Sequence, residues 1–330
     1  MSRVLVTGAS GFVGQALCPA LNAAGHEPVP VVRQSISVDN RAAAAQRMIA
    51  EIGPDTDWRD ALDGIDAVIH LAARVHVGGE SGADALAHHR RVNLGGTRRL
   101  AEAAAAAGVR RFVFLSTVKV MGERTADHPF FETDRPQPED AYAISKWEAE
   151  QALADIAQGT ALEPVVLRPP LVYGPGVKAN FRALMDAVRR GLPLPLAGIA
   201  SRRSLLYLGN LIDGIIQSLE QPAAAGQTFL MRDGEDVSIA ELIRQLAQAM
   251  GRPARLFYLP PGLLRTASAL TGQGDSLRRL VDGLAVDDDK IRRSLGWAPP
   301  YSLEQGLAET VAWFQGEHDR GKGTKHNNAV

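Results

Sequence analysis

Apolar residues in the first half of the chain form short continuous runs separated by amphipathic stretches of helix length. This is the pattern of buried strands alternating with covering helices. Val4–Thr7 reads as a strand and Phe12–Ala24 as a helix closed by Gly25, whose lack of a Cβ suits a left-handed cap. A second strand is expected over Pro28–Arg33, with irregularity, because Pro28 and Pro30 each remove a ladder donor. The alternation continues with an alanine-rich helix over Ala42–Ile49, a strand over Ala67–Leu71, a helix over Val92–Ala107 closed by Gly108, and a strand over Arg111–Ser116. A long helix over Ala141–Ala157 and a strand over Pro164–Leu167 complete it. The economical architecture for this order is α/β, a doubly wound parallel sheet with helices on both faces.

Beyond Pro169 the segments RPPLVYGPG and GLPLPLAG concentrate proline and glycine, and the rhythm loosens. We expect residues 1–175 to form one domain and residues 176–320 a smaller C-terminal α/β domain that is able to return strands to the first. Helical patterns recur at Phe181–Arg190, Leu211–Leu219, Ile239–Met250 and Leu303–Gln315, with a short strand at Gln227–Met231. Residues 321–330 are polar and aperiodic, which predicts a frayed tail.

Charge and cysteine content narrow the class. With 36 basic and 37 acidic residues the net charge is −1, so no global attraction to nucleic acid or acidic membranes is expected. The single cysteine, Cys18, has no partner for an internal disulfide and falls in the first helix, as a buried small hydrophobe would. No apolar run approaches about 18 residues, and Met1–Val6 leads straight into a strand, so the expectation is a cytoplasmic protein without membrane insertion.

The first motif, TGASGFVG, places Gly8, Gly11 and Gly14 between a strand and a helix. In that context Gly8 permits a tight turn, Gly11 lets the backbone approach a pyrophosphate, and Gly14 lets helix and strand pack closely. The amides of Phe12, Val13 and Gly14 then face the phosphates, the arrangement of a Rossmann-type dinucleotide site; a structural loop is the competing reading. Where such sites carry an acid at the end of the second strand, this chain has Arg33, whose guanidinium suits a ribose 2′-phosphate. That favours NADP(H) and leaves NAD(H) open, with a solvated Arg33 as the alternative. VIHLAA ends an apolar strand in Leu71, Ala72 and Ala73, small enough for a cofactor to approach the backbone; His70 within it reads as a packed or hydrogen-bonded histidine. The histidines, including His88 and His89, show no metal-ligand spacing.

Tyr142 and Lys146 lie four residues apart on the long helix and so share a face. An ammonium there, helped by an oxidised nicotinamide, would draw the phenol from its ordinary pKa of about 10 toward neutrality and make it a proton donor and acceptor. Alone, the pair also suits an ordinary helix surface. The hydroxyls of Ser116 and Thr117 and the glycine turn upstream give it chemical meaning.

Together, TGASGFVG, VIHLAA, the helix around Asn93, FLSTVKVMGE, YAISK and RPPLVYGPG occur in an order that resembles the extended short-chain dehydrogenase/reductases, above all the NAD-dependent epimerase/dehydratase family of nucleotide-sugar enzymes. The resemblance spans about residues 1–315. It implies that Thr117, five residues before Gly122, is the catalytic hydroxyl with Ser116 beside the substrate, that Tyr142 is the acid/base, and that Lys146 binds the nicotinamide ribose. Pro169 follows as a cofactor contact, Asn180 as a diphosphate ligand, Arg203 as a grip on the substrate phosphates, and DDDKIRRSLGWAPP as a mainly structural closing helix. Two features depart from the pattern: Val120, Met121 and Gly122 stand where the family has Val-Tyr-Gly, and no Arg-Pro-Gly-Asp-like segment occurs near Arg278 and Arg279. Lys119 reads as a solvated loop lysine, with substrate contact as the alternative.

The leading expectation is NADPH-dependent reduction of the carbon-4 ketone of a UDP-linked deoxy or acetamido sugar for surface polysaccharide. The alternative is a UDP-hexose 4-epimerase acting on UDP-glucose or UDP-N-acetylglucosamine. A non-catalytic nucleotide-binding sensor or scaffold is a more remote reading. The resemblance further implies a homodimer through the Asn93 and Tyr142 helices.

Overall fold

The structure, a computed structural model, describes residues 1–34, 46–75, 82–126, 128–260 and 282–326. Seven parallel strands form the main sheet: β1 (Arg3–Thr7), β2 (Glu27–Val32), β3 (Arg47–Met48), β4 (Ala67–His70), β5 (Arg111–Leu115), β6 (Glu163–Arg168) and β9 (Thr228–Leu230), in the order β3-β2-β1-β4-β5-β6-β9. The order reverses between β1 and β4, so a crevice opens where their carboxyl ends diverge, the usual ligand position in such sheets. Through β9 the second half of the chain adds a strand to the sheet built by the first.

One face is covered by α1 (Phe12–Ala23) and α6 (Leu208–Glu220), whose Leu17, Leu21, Leu211 and Ile215 are buried against Val6, Ile69 and Val113. On the other face lie α3 (Thr97–Ala106) and α4 (Ala141–Gln158), with Leu100, Ala104 and Leu153 packed among Leu5, Phe112 and Trp58. A three-stranded sheet of β7 (Leu171–Tyr173), β8 (Arg202–Tyr207) and β10 (Asp236–Ser238) sits beside α5 (Ala179–Arg190), α7 (Ile239–Ala249) and α9 (Leu303–His326) around a separate core of Tyr173, Phe181, Met185, Leu246 and Phe314. Between α7 and α9 comes the short α8 (Asp289–Leu295).

Four expectations change. The strand β2 is regular, because its prolines have the harmless parity. Glu27 N donates to Ser2 O, so Glu27, Val29 and Val31 face β1, while the nitrogens of Pro28 and Pro30 face the other side, where β3 pairs only from Val31 onward. The helix expected over Ala42–Ile49 is not found at its described end, where Arg47 and Met48 pair with Val31 and Val32 as strand; residues 42–45 lie outside the described residues. Strand pairing there overrides the helix propensity of Arg47 and Met48.

The helix expected from Val92 begins earlier, as α2 (Gly82–His89), and passes through a π-helical turn over Arg90–Gly96 before α3. Gly96 permits this route, since a Cβ on it would lie 2.6 Å from Ile52 Cγ2. Finally, α9 continues to His326 through part of the segment expected to fray, and residues 327–330 lie outside the described residues, as do Arg278 and Arg279.

Candidate active site

The glycine turn is built for close approach. Gly8 has φ +71, and a Cβ there would stand 2.8 Å from Ala72 N; on Gly14 it would stand 2.3 Å from Gly8 O. The end of β1 therefore presses on the end of β4, where Leu71 N and Ala72 N donate to the carbonyl and hydroxyl of Thr7 at 3.3 and 3.2 Å. Gly11 caps α1 without a side chain, and the first turn of α1 holds no acid. The amide end around Phe12, Val13 and Gly14 thus keeps its positive dipole for an anion. These residues fit the pyrophosphate of a dinucleotide. Phe12 also underlies the second half of the chain: a Cβ on Gly176 (φ +94) would meet its ring at 3.3 Å.

His70 is fully buried between Thr7 Oγ1 (2.6 Å from Nδ1) and Thr97 Oγ1 (3.0 Å from Nε2). Burial, with Lys146 nearby, drives its pKa down to about 3, so it stays neutral and structural, as the sequence suggested. Among the described residues no group of acids, histidines and cysteines could hold a metal ion.

Strand β5 delivers Ser116 and Thr117 to a 3-10 turn over Val118–Val120. Their backbone is fixed by Ser116 N donating to Leu167 O and Val118 N to Pro169 O, at 2.7 and 2.9 Å. This gives buried Pro169 a direct role in setting the loop. The two hydroxyls part company. Thr117 Oγ1 accepts from Lys119 N at 3.3 Å, which uses a lone pair and leaves its proton to donate. Ser116 donates instead to Glu150, whose carboxylate is held by Arg168 through bonds of 2.6 and 3.2 Å in a pair only 5% exposed on each side. The substrate contact expected of Ser116 is thereby replaced by a place in a buried ionic network. Met121, where the family pattern has tyrosine, belongs to the same network, its sulfur accepting from Arg168 Nη1 at 2.9 Å.

Helix α4 starts at Asp140, whose Oδ1 accepts from Ala143 N at 2.7 Å, an N-cap that sets Tyr142 in the first turn and Lys146 one turn on. Tyr142 is partly buried with its ring edge toward His89, centroids 6.1 Å apart. Lys146 is 1% exposed and places Nζ 3.8 Å from the centroid of the Phe114 ring. Without cofactor, burial and then Asp140 push the Tyr142 phenol up to about 12, while burial, opposed by Glu150, pulls Lys146 down to about 7. A lysine lowered in this way draws the phenol down less than a full ammonium would, and leaves more of that work to the positive ring of an oxidised nicotinamide.

The sequence did not reveal the support behind this pair. Asn93, inside the π turn, accepts from Arg74 N (2.8 Å) and donates to Arg74 O (3.0 Å) and Ser145 Oγ (2.9 Å), and Ser145 donates to Tyr142 O at 2.8 Å. It ties the loop after β4 to the helix of Tyr142, and the π turn that points it there is a common mark of functional sites. Lys119 is not a solvated lysine: it is 27% exposed and bonds both Asp140 Oδ2 at 2.5 Å and Glu123 Oε1 at 2.7 Å.

The remaining candidates stand on other elements. Arg33 is exposed just past β2, and Asn180 is exposed in the first turn of α5. Arg203, on β8, donates to Asp282 O at 2.7 Å, and burial lowers its pKa. In the closing helix segment Asp288, 1% exposed, pairs with Arg232 and Arg292, and Trp297 Nε1 donates to Asp213, which is structural work as expected.

Comparison with known proteins agrees with this geometry. Residues 4–240 match the family model described as NAD dependent epimerase/dehydratase family. A UDP-glucose 4-epimerase of Vibrio cholerae is 39% identical over 320 residues, 96% of this chain and 97% of that protein. A 3-beta-hydroxysteroid dehydrogenase of Mycolicibacterium neoaurum is 30% identical over 343 residues, 95% and 92% of the two chains. The solved structure of MoeE5 in complex with UDP-glucose and NAD superposes with a TM-score of 0.76 at 26% identity, covering 96% of this chain and 99% of that one.

Proposed function

Because the chain belongs to the NAD-dependent epimerase/dehydratase family and has its extended short-chain dehydrogenase/reductase fold, we propose that it is an NAD-retaining UDP-hexose 4-epimerase. The observation that carries this reading is the 39% identity, along 96% of the chain, with a UDP-glucose 4-epimerase. It takes precedence over the 4-keto reduction that the sequence alone favoured. That the molecule is an enzyme acting through a nicotinamide follows from the family; the sugar and the direction of net chemistry belong to the proposal.

When bound, NAD supplies a reversible hydride acceptor at the carboxyl end of the sheet. With it bound, Tyr142 as phenolate would take the proton of the carbon-4 hydroxyl of the sugar as that carbon is oxidised. Thr117 donates a hydrogen bond to the same oxygen in both directions, and Lys146 holds the ribose. Tyr142 would then return the proton to the same oxygen once the sugar has presented its other face, so that the carbon-4 configuration inverts with no net redox change. Arg203 and Asn180 hold the diphosphate through this turn. Such proton transfer contributes about 10² to 10⁴ in rate. The proposal includes a cytoplasmic homodimer; among the described residues no helix is long and apolar enough to cross a membrane.

One observation favours the reductase as a second reading: Arg33 stands at the end of β2 where a carboxylate would reject a 2′-phosphate. Release of the cofactor from purified protein, followed by incubation with UDP-galactose and with UDP-N-acetylgalactosamine, decides between them. The epimerase yields NAD and interconverts a UDP-sugar with its carbon-4 epimer without added cofactor. Preference for NADPH, net NADPH consumption with a 4-keto sugar, and loss of that preference in Arg33→Ala would overturn it.

A further inference from the structure

Two carboxylates from different parts of the chain converge on Lys119. Glu123 reaches it from the same loop, and Asp140 from the start of α4, 21 residues away in sequence. Neither is incidental to the site. Asp140 uses one oxygen on Lys119 and the other on Ala143 N, so the carboxylate that ends the ion pair also begins the helix of Tyr142. At the other end, the backbone amide of Lys119 donates to Thr117 Oγ1. Gln137 N donates to Val120 O at 3.0 Å, a second strap between the same two segments. Thr117 and Tyr142 are thus bracketed by a short path: Thr117, the amide and ammonium of Lys119, Asp140, and the first turn of α4.

We propose that Lys119 is a positioning residue of the active site, clamping the turn that carries Thr117 to the cap of the helix that carries Tyr142 and neutralising the Asp140 carboxylate beside that phenol. The inference rests on the catalytic roles given above to Thr117 and Tyr142. The charged or titratable groups tied to Tyr142 and its cap are Asp140 at the start of its helix, Lys146 one turn on, His89 against its ring from α2, and, joined to Asp140 by the ion pair, Lys119 of the 3-10 turn with Glu123 just after that turn. Of these, Asp140 opposes ionisation of Tyr142, and Lys119 is the cation bonded directly to it. An ordinary surface ion pair would leave the chemistry untouched. A charge that balances the neighbour of an acid/base changes the pH at which the acid/base works.

The test uses the full-length NAD-loaded protein and five variants: Lys119→Met, Lys119→Arg, Asp140→Asn, the double variant Lys119→Met with Asp140→Asn, and Tyr142→Phe. Turnover of UDP-galactose is followed from pH 6 to 10, and tyrosinate absorbance is titrated as a difference from Tyr142→Phe. Loss of the Lys119 charge should move the rising limb of kcat upward by about one pH unit and cost roughly tenfold in kcat below it, since the phenolate fraction falls tenfold per unit. The Tyr142 titration should move the same way. Lys119→Arg should restore both, and Asp140→Asn, whose amide still caps the helix, should move the limb down and cancel the effect of Lys119→Met in the double variant. An unmoved limb and titration in Lys119→Met, with Tyr142→Phe inactive, overturn the role of Lys119 alone. Wild-type turnover in Tyr142→Phe overturns the catalytic reading beneath it. Should UDP-galactose not be turned over at all, the absorbance titration still decides the charge relation.

Discussion

Replacing Lys146 with methionine should make the cofactor-free protein more stable near neutrality while abolishing its catalysis. The lysine is 1% exposed, and burial has drawn its pKa from 10.5 to about 7, so the unfolded chain binds a proton more readily than the folded one across that range. Folding stability of the wild type therefore rises with pH between about 7 and about 10.5, and below this window the full cost of the buried ammonium remains. At about 1.4 kcal/mol per pH unit, this cost is about 4 kcal/mol at pH 7. Methionine has a similar length and no charge, and it forfeits the ammonium's contact with the Phe114 ring, about 0.5–2 kcal/mol. The expected net gain is roughly 2–4 kcal/mol at pH 7, shrinking to nothing or reversing by pH 10.5. Urea unfolding of both proteins at intervals from pH 7 to 10 measures it, because the difference between them isolates this one group. A gap that does not change with pH, or a variant less stable than wild type at pH 7, refutes the account of Lys146 as a destabilising buried cation.

Three further outcomes follow from the same structure. Gly14→Ala should lose most NAD affinity, since its Cβ would lie 2.3 Å from Gly8 O; unchanged affinity by equilibrium dialysis would place the dinucleotide elsewhere. Glu150→Gln strands the buried Arg168 guanidinium and should lower unfolding stability by about 3–5 kcal/mol, read from the denaturant midpoint, and a loss below about 1 kcal/mol would show that the pair is solvated. Arg203→Ala should weaken UDP binding in calorimetry by roughly tenfold or more while leaving NAD affinity in place, whereas equal losses for both would point to a role in packing against Asp282 alone.

The elements that were legible in the sequence are those whose signals are local. The helix of Tyr142 could be placed within a residue or so because Asp140 caps it and an apolar face follows, and α1 because Gly25 takes φ +86 at its end. The glycine turn was equally readable, since each glycine answers to a contact that the motif spacing implies. What escaped depended on partners distant in sequence. Arg47 and Met48 are strand only because Val31 and Val32 lie beside them, and the π turn bends where Gly96 meets Ile52. Ser116 looked like a substrate ligand until Glu150, 34 residues on, took its hydroxyl, and Lys119 looked solvated until Asp140 closed on it. Spacing likewise shows which charge is near Tyr142 but not how much water is excluded around it, and burial raises that phenol in the cofactor-free chain.

The parity of the prolines in β2 has a consequence for how the protein survives in a crowded solution. Had Pro28 and Pro30 fallen one position later, each would have removed a hydrogen bond to β1 from the middle of the sheet. Where they stand, they instead leave the outer margin of β2 with carbonyls but without amide donors along the stretch that precedes β3. With both prolines buried, that margin presents no row of unpaired amides that a further strand would have to satisfy, so the sheet can end at a β3 of two residues without leaving a template for another chain.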